Sequence, residues 1–213
     1  MSDETTHPQT AKNRRSLLIA AAVFILPVVA AAILHKTGWY SSVGTTNRGT
    51  LITPPVTFEE IALSNPAGET LSSETFQKKW WLVYVLPEQC NQACNNSLYQ
   101  MRQVHLALGP EQKRVARLLI ATAELEQPIQ KLIDQEFPKL NVAYADKTQL
   151  QQVFSTTQDK ELSKDQHGRI FLVDTMGAVF MYYPTFEEEQ ESILKGRSLL
   201  KDLQKVLKLS KIG

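Results

Sequence analysis

The chain has 213 residues, of which 43% are hydrophobic and 21% are charged, a composition typical of a globular protein and not of a disordered or low-complexity chain. Its 23 basic residues balance 22 acidic ones to a net charge of +1, so no excess of positive charge indicates a nucleic-acid partner. Two cysteines are too few for the disulfide framework of a small secreted domain or for a four-ligand structural zinc site. These numbers predict one globular domain with an appendage and no nucleic-acid partner.

The N-terminal part of the chain contains a segment long enough to cross a lipid bilayer. Residues 17–34 carry no polar side chain, and at ~1.5 Å per residue they cover about 27 Å of a hydrocarbon core of about 30 Å. Three basic residues precede the segment closely: Lys12, Arg14 and Arg15. Because basic residues collect on the cytoplasmic side, we predict a cytoplasmic tail over residues 1–16 and a transmembrane signal anchor over residues 17–38. The expected location is a bacterial-type inner membrane, crossed once, with the C-terminal domain facing the periplasm.

This segment has two other interpretations. Ala30, Ala31 and Ala32 satisfy the small-residue rule for a cleavage site, so the segment also fits a cleaved signal peptide. A buried core helix of a soluble protein is disfavoured, because a helix that is apolar on every face needs a large protein around it. The anchor and the cleaved signal both export the rest of the chain.

A linker and one compact domain are predicted after the apolar segment. Residues 41–57 are rich in Gly, Ser, Thr, Asn and Pro and show no sustained period, so we predict a linker over residues 39–57. The domain then covers residues 58–213, and about 155 residues are enough for a single hydrophobic core.

Strand-like and helix-like segments alternate along this domain. Residues 80–86 form a continuous apolar run rich in aromatic and β-branched side chains, which predicts a buried central strand. The predicted elements are, in order, a strand over 80–86, a helix over 89–108, a strand over 115–121, a helix over 126–137, a short apolar segment at 142–144, a helix that Thr148 caps, a β-hairpin over 170–174 and 178–183, and a closing helix with a capping box of Thr185 and Glu188. This order predicts an α/β sandwich.

Cys90 and Cys94 form a C-x-x-x-C motif just after the predicted central strand and at the first turn of the next helix. The free N–H groups and the dipole of a helix N-terminus favour a thiolate, so we expect Cys90 to be the more reactive sulfur. The carboxyl ends of strands are also where open α/β sheets bind ligands. A spacing of four residues places the two sulfurs one helical turn apart, close enough to share a soft metal ion or to form a disulfide.

The chemistry of this cysteine pair is left open by the spacing. Two thiolates select Cu(I), and Zn(II) becomes possible if further ligands join them. In an exported domain no glutathione or thioredoxin pool keeps the pair reduced, so a disulfide is allowed. The pair also fits a structural disulfide or two unreactive core cysteines.

The four histidines differ in whether they can join the cysteines. His7 lies on the predicted tail and His35 at the membrane edge, which excludes both. His105 follows Cys94 by eleven residues on the same predicted helix, about 16 Å along its axis, too far to share a metal ion. His167 lies in a loop before the predicted hairpin that could face the cysteines, so it is either the third ligand or a surface histidine.

The order of these parts resembles the Sco/SenC family of thioredoxin-like copper proteins. The likeness rests on the signal anchor, the Trp-Trp-Leu-Val-Tyr-Val-Leu strand that leads into C-x-x-x-C, and the loop histidine before an Ile-Phe-Leu-Val-Asp strand. Members of that family are exported, membrane-anchored factors that assemble the copper centre of cytochrome c oxidase. The resemblance implies a thioredoxin-like central sheet flanked by helices and a Cu(I) site on Cys90, Cys94 and His167. The implied partners are the inner membrane, through residues 17–38, and a cytochrome c oxidase subunit or its assembly factors.

The chain departs from the family pattern beside both cysteines. The family usually has Pro directly after each cysteine, whereas this chain has Asn91 and Asn95. The segment after the strand at 115–121 also lacks the acidic, Asp-Pro-rich loop of the family. We therefore interpret the chain as a divergent member.

Three functions follow from these interpretations. The first is a Cu(I) metallochaperone for the oxidase. A metallochaperone carries a metal ion and is not an enzyme. The second is a thiol–disulfide oxidoreductase that keeps oxidase cysteines reduced, with Cys90 attacking and Cys94 resolving as its catalytic residues. No proline precedes the strand at 170–174, where thioredoxin-like oxidoreductases carry a cis-proline, so the enzyme is the second choice. The third is a non-catalytic assembly scaffold whose cysteines only staple a helix.

Overall fold

The computed structural model of the protein describes residues 8–37 and 46–210. The chain divides into an N-terminal unit, Met1–Thr46, and a folded unit, Asn47–Gly213. The described part of the first unit is dominated by one helix, α1 (Pro8–Thr37). The second unit contains the sheet, the remaining helices and both cysteines.

Helix α1 is long enough and apolar enough to cross a membrane. Its segment Arg14–Leu34 has a mean hydropathy of 3.0, and none of it is buried. The prediction of one N-terminal apolar helix is therefore confirmed. The helix begins at Pro8, so part of the predicted tail over residues 1–16 is helical, whereas residues 1–7 and residue 38 lie outside the described residues.

Across the described residues, seven strands form one mixed sheet in the folded unit. The strands are β1 (Thr50–Thr57), β2 (Leu63–Ser64), β3 (Trp80–Val85), β4 (Val115–Ala121), β5 (Asn141–Ala145), β6 (Arg169–Val173) and β7 (Ala178–Pro184). Their order across the sheet is β1-β7-β6-β3-β4-β5-β2. Strand β3 is parallel to β4, β4 is parallel to β5, and the other neighbours are antiparallel.

The helices of the folded unit cover both faces of the sheet. They are α2 (Ser73–Phe76), α3 (Gln92–Ala107), α4 (Gln127–Glu136), α5 (Lys147–Phe154) and α6 (Glu189–Leu209), with 3₁₀ turns at Phe58–Glu60 and Gly109–Arg114. Helices α3, α4 and α6 pack on one face, and α2 and α5 pack on the other. The predicted α/β sandwich, with a thioredoxin-like sheet between helices, is confirmed.

Strand β3 is the centre of this arrangement, because all six of its residues are buried. Successive strand side chains point to opposite faces of a sheet, so Trp81 and Val83 join the core under α5, whereas Leu82 and Tyr84 join the core under α3 and α6. A strand that is covered on both faces needs apolar residues at every position. The continuous apolar run over 80–86 meets this requirement.

The predicted linker over residues 39–57 is wrong for its last eight residues. Residues Thr50–Thr57 form β1, which pairs with β7 at the edge of the sheet, and its side chains Ile52 and Val56 are 3% and 1% exposed. Proline is tolerated on an edge strand, where the missing N–H group faces solvent, and the ladder is irregular between Leu51 and Val56, where Pro54 and Pro55 lie. Residues 39–45 of the predicted linker lie outside the described residues.

A buried carboxylate fixes the start of the folded unit to its last helix. Asp202 in α6 accepts hydrogen bonds from the backbone N–H groups of Arg48 (2.7 Å) and Gly49 (3.0 Å) and from the hydroxyl of Tyr183 (2.8 Å). Hydrogen bonds to an ionised carboxylate are stronger than those between neutral groups. A Cβ atom on Gly49 would lie 2.5 Å from the Tyr183 ring, so this close approach requires glycine.

The ends of three helices also differ from their predicted positions. Helix α3 begins at Gln92 rather than at residue 89, and Asp146 rather than Thr148 caps α5, by accepting the N–H of Gln149. The predicted capping box of α6 is wrong, because Glu188 makes no side-chain cap. Thr185 instead donates its hydroxyl to the carbonyl of Gly168 (2.7 Å).

Because β1 is part of the sheet, a domain that begins at Phe58 should be less stable than one that begins at Asn47. It loses the burial of Ile52 and Val56, worth about 1.5–3 kcal/mol for each side chain, and thus roughly 3–6 kcal/mol in all. Urea unfolding of the two domains, followed by circular dichroism, measures the difference. Equal midpoints would contradict the assignment of β1 to the sheet.

Candidate functional site

Cys90 and Cys94 lie at the carboxyl end of β3, where the chain leaves the centre of the sheet. The two residues are joined by a disulfide, and their Cα atoms are 5.2 Å apart. Two backbone hydrogen bonds fix this end of the sheet: the N–H of Leu86 donates to Ile120 in β4, and the N–H of Gly168 donates to Val85, both at 2.8 Å. The cysteine segment therefore begins at the carboxyl end of β3, which hydrogen bonds to β4 and to the loop before β6 hold in place.

The two sulfurs lie in different environments. Cys94, in the first turn of α3, is 0% exposed and belongs to the core under α3 and α6. Cys90 precedes the helix, is half-buried and packs against the edge of the same core. The prediction that Cys90 lies in the first turn is therefore wrong. Exposure still makes Cys90 the sulfur that a reagent or a partner can reach.

The two asparagines that replace the prolines of the Sco/SenC pattern both contact the cysteine segment. The Asn91 side chain is the N-cap of α3 and accepts the backbone N–H of Cys94 at 3.1 Å. The Oδ1 atom of Asn95 lies 3.7 Å from the Cys90 sulfur. Asparagine is among the preferred N-cap residues, so Asn91 starts the helix at the position that fixes Cys94.

His167 lies in the loop before β6, at the same edge of the sheet as the cysteines. Its Nδ1 atom is 2.7 Å from Asp165 Oδ1, and its backbone N–H donates to the same oxygen at 3.0 Å. Because a carboxylate only accepts hydrogen bonds, Nδ1 is the donor to Asp165, and in the neutral imidazole Nε2 carries the lone pair. The Nε2 atom lies 3.4 Å from Thr122 Oγ1, so its present hydrogen bond is weak.

The carboxylate that orients His167 stays ionised. Burial raises the pKa of Asp165, but the hydrogen bonds from the backbone and side chain of His167, together with the positive charges of His167 and Arg169, outweigh burial and hold this pKa below its usual range. An ionised Asp165 keeps the imidazole of His167 in one tautomer, with Nε2 available. The His167 side chain is only 14% exposed, so most of its imidazole is shielded from solvent.

Within residues 8–37 and 46–210, no three side chains of His, Cys, Asp or Glu form a group that could hold a metal ion. The structure thus brings Cys90 and Cys94 together and places His167 at the same edge, without assembling the three into one group in this disulfide-bonded state. Thr122 lies between His167 and Cys90: it contacts His167, and together with Cys90 it lines a cavity that is described below.

His105 is far from this site, as its distance along the helix predicts. Its Nε2 atom lies 2.9 Å from the carbonyl oxygen of Val115 and 3.2 Å from that of Gln112. Both partners are acceptors, so Nε2 donates its proton and has no lone pair for a metal. Burial lowers the pKa of His105, which keeps this imidazole neutral. The residue connects the end of α3 to the start of β4.

A cavity of about 450 Å³ opens beside Cys90, between the segment after β3 and the segment that joins β4 to α4. Its volume lies in the range of about 300–1,000 Å³ that is typical of ligand sites. The cysteine pair therefore has room beside it for part of a partner molecule.

Sequence reasoning assigned no structural role to three polar residues of the site, Asn91, Asn95 and Asp165. An asparagine directly before an apolar helical pattern is a recognisable N-cap signal. Asp165 was also detectable, because Asp favours a hydrogen bond to the backbone two residues later, which is His167. The contact of Asn95 with the Cys90 sulfur has no signal in the sequence.

The fold and the site define a thioredoxin-like protein with one cysteine pair at the carboxyl end of its central strand. Residues 80–210 match the family model of the transmembrane-like, thioredoxin-like, C-terminal domain, and the chain belongs to this family. No curated protein matches the chain significantly in sequence.

Solved structures resemble the chain at low sequence identity. The apo Sco1 protein of Thermus thermophilus is 18% identical, with 78% of this chain and 99% of that chain covered and a TM-score of 0.53. Copper-bound ScoI of Bradyrhizobium japonicum is 17% identical (70% and 97% covered, TM-score 0.44), and a thiol:disulfide interchange protein from Bacteroides sp. is 18% identical (76% and 91% covered, TM-score 0.48). The Thermus structure confirms the resemblance to the Sco family at the level of the fold.

The capping role of Asn91 predicts a measurable loss on substitution. Asn91→Ala removes the acceptor for the Cys94 N–H and should lower the free energy of unfolding of the oxidised protein by about 1 kcal/mol. Asn91→Ser is the matched control, since serine restores a capping oxygen. Thermal unfolding of the three proteins tests this assignment, and an Asn91→Ala protein as stable as the wild type would contradict it.

Proposed function

We propose that this protein is a membrane-anchored accessory protein for cytochrome c oxidase assembly, which carries Cu(I) to the oxidase copper centre. The observation that carries the proposal is the half-buried Cys90, which is paired with Cys94 beyond the carboxyl end of β3. The loop that carries His167 lies at the same end of the sheet. The Sco-like fold supports the assembly role, because the Sco family is the group of thioredoxin-like proteins that the sequence resembles. The partner is an oxidase subunit or one of its assembly factors.

The disulfide must be reduced before copper binds. A dithiol donor gives two electrons and two protons to the Cys90–Cys94 bond and is itself oxidised to a disulfide. Cu(I) then binds the two thiolates, and the two thiol protons are released. The state of the pair thereby decides whether the protein can carry its cargo.

His167 supplies the third ligand through Nε2. Its Nδ1 atom is committed to Asp165, and the 3.4 Å contact of Nε2 with Thr122 costs little to replace. The local rearrangement that brings Nε2 to the thiolates accompanies reduction, because the disulfide no longer restrains Cys90. An open position on the three-coordinate ion lets a partner ligand enter and take the copper by exchange.

The location follows from α1 and the charges beside it. Arg14 and Arg15 lie at one end of the span and Lys36 at the other, with Lys12 adding to the basic excess before the span. This excess favours a cytoplasmic N-terminus and a periplasmic folded unit. The protein is then a single-pass protein of a bacterial-type inner membrane, retained by its uncleaved helix.

Reduced protein should bind one Cu(I) ion tightly, and oxidised protein should bind none. Cys90→Ser and Cys94→Ser should each abolish competition with a colorimetric Cu(I) chelator under anaerobic conditions, because a single thiolate is a weak site. His167→Gln should weaken binding by at least the roughly 10–100-fold that loss of an outer-shell partner costs.

His105→Gln is the matched control, because it makes the same change at a histidine remote from the site and retains a donor for the Val115 carbonyl. It should bind copper like the wild type. If the reduced wild type cannot compete with the chelator, the copper proposal is wrong. If His167→Gln binds normally, the cysteines bind without His167.

A thiol–disulfide oxidoreductase is the second candidate, and the disulfide itself favours it, with one reachable and one buried sulfur. The position before β6 nevertheless carries His167 and Gly168 instead of proline. We therefore expect the protein to add little to the rate at which an excess of dithiol donor alone reduces a peptide disulfide. Peptide reduction followed by mass spectrometry measures this. Many turnovers, lost in Cys90→Ser, would establish the enzyme and contradict the carrier as the main function.

A further inference from the structure

The cavity beside Cys90 has an apolar floor. Its apolar walls come from the segment after β3 and from α4 with the loop before it, and the long side chains among them are half-buried or buried. These side chains are Leu86, Leu125, Ile129 and Leu132. An apolar side chain of a partner that entered here would leave water and contact apolar atoms on several sides, which favours binding.

The rim of the cavity is acidic. Glu88, Glu124 and Glu126 line it, and no Lys or Arg does so among the described residues. Glu88 is paired with Lys147 at 2.5 Å, which compensates its charge. Glu124 and Glu126 are exposed, and the described part of the chain gives neither of them an ion pair.

The charge of this rim differs from that of the chain as a whole. The full chain is nearly neutral at +1, whereas two uncompensated carboxylates flank this one cavity. Complementary charge on a partner raises the rate of encounter and fixes its orientation. A segment with lysine or arginine beside its apolar residue satisfies both the floor and the rim.

We infer that the cavity beside Cys90 is the docking groove for a partner segment that carries an apolar side chain flanked by basic residues, next to the cysteine that meets Cys90. This inference rests on the proposed function, of which it names the partner surface. The apolar side chain enters between Leu125 and Leu132, and the basic residues lie against Glu124 and Glu126. The docked segment then presents its own sulfur to Cys90 at the edge of the cavity.

Thiol exchange with synthetic peptides tests the groove. The probes are peptides of equal length with one leucine and one cysteine, the cysteine activated as a 2-pyridyl disulfide, and with either two lysines or two glutamates as flanks. The Cys90 thiolate attacks the peptide sulfur, the S–S bond between that sulfur and the pyridine-2-thiol sulfur breaks, and pyridine-2-thiolate leaves and is measured by absorbance. The full-length protein in nonionic detergent carries Cys94→Ser, which leaves Cys90 as its only thiol.

The lysine peptide should react about tenfold faster than the glutamate peptide at low ionic strength, and the ratio should shrink as salt screens the charges. Glu124→Gln with Glu126→Gln should bring the ratio close to one. The matched control, Glu59→Gln with Glu74→Gln, changes two exposed carboxylates outside the cavity and should leave the ratio unchanged. Replacing the peptide leucine by serine should slow the reaction of the lysine peptide.

Reaction with neutral 2,2′-dipyridyl disulfide separates docking from thiol reactivity. All variants should react with it at one rate. Equal rates for the lysine and glutamate peptides, or a ratio unaffected by the Glu124 and Glu126 changes, would overturn the docking groove and leave the proposed function intact. A Cys90 thiol that is inert to the neutral reagent would overturn both. Cys94 is buried, so Cys94→Ser can disturb the core, and the assay is therefore repeated with the reduced wild-type protein. In that protein Cys94 resolves the mixed disulfide, and one pyridine-2-thiolate is still released for each peptide.

Discussion

The burial of β3 on both faces is the constraint on which the rest of the structure depends. Each of its residues contributes to one of two cores, so the strand cannot shift by one residue without moving every side chain to the wrong face. The register fixes where the strand ends, at Val85, and hence where Cys90 and Cys94 follow. The position of the cysteine pair is thus a consequence of the packing of the strand before it.

The same packing makes the two cysteines chemically unequal. Cys94 is enclosed by the core because α3 must bury its apolar face against β3, whereas Cys90 lies in the connection and remains half-exposed. A pair with one reachable and one enclosed sulfur can be opened from one side only. Copper transfer and disulfide exchange both use this asymmetry, which explains why one geometry supports two candidate functions.

Where the Sco/SenC pattern has prolines, this chain has Asn91 and Asn95, and Asn91 holds the cysteine segment by a hydrogen bond. Proline restricts a backbone by its ring, whereas here the Asn91 side-chain cap restrains the start of α3. The Asp165–His167 pair holds the other side of the site by the same means. Hydrogen bonds of this kind can be remade when the disulfide opens, so the site combines a rigid sheet edge with adjustable loops.

The sequence by itself determined the apolar helix, the alternation of strands and helices, the central strand and the cysteine pair that follows it, because each of these is written in local patterns of apolar, turn and cysteine residues. Only the tertiary structure decided that Thr50–Thr57 is an edge strand, because its Pro-containing sequence has no strand period and its stability comes from pairing with β7. Tertiary contacts also decided which sulfur is buried, which nitrogen of His167 is free and that Glu124 and Glu126 flank Cys90. Those properties depend on residues that are distant in the chain and adjacent only after folding.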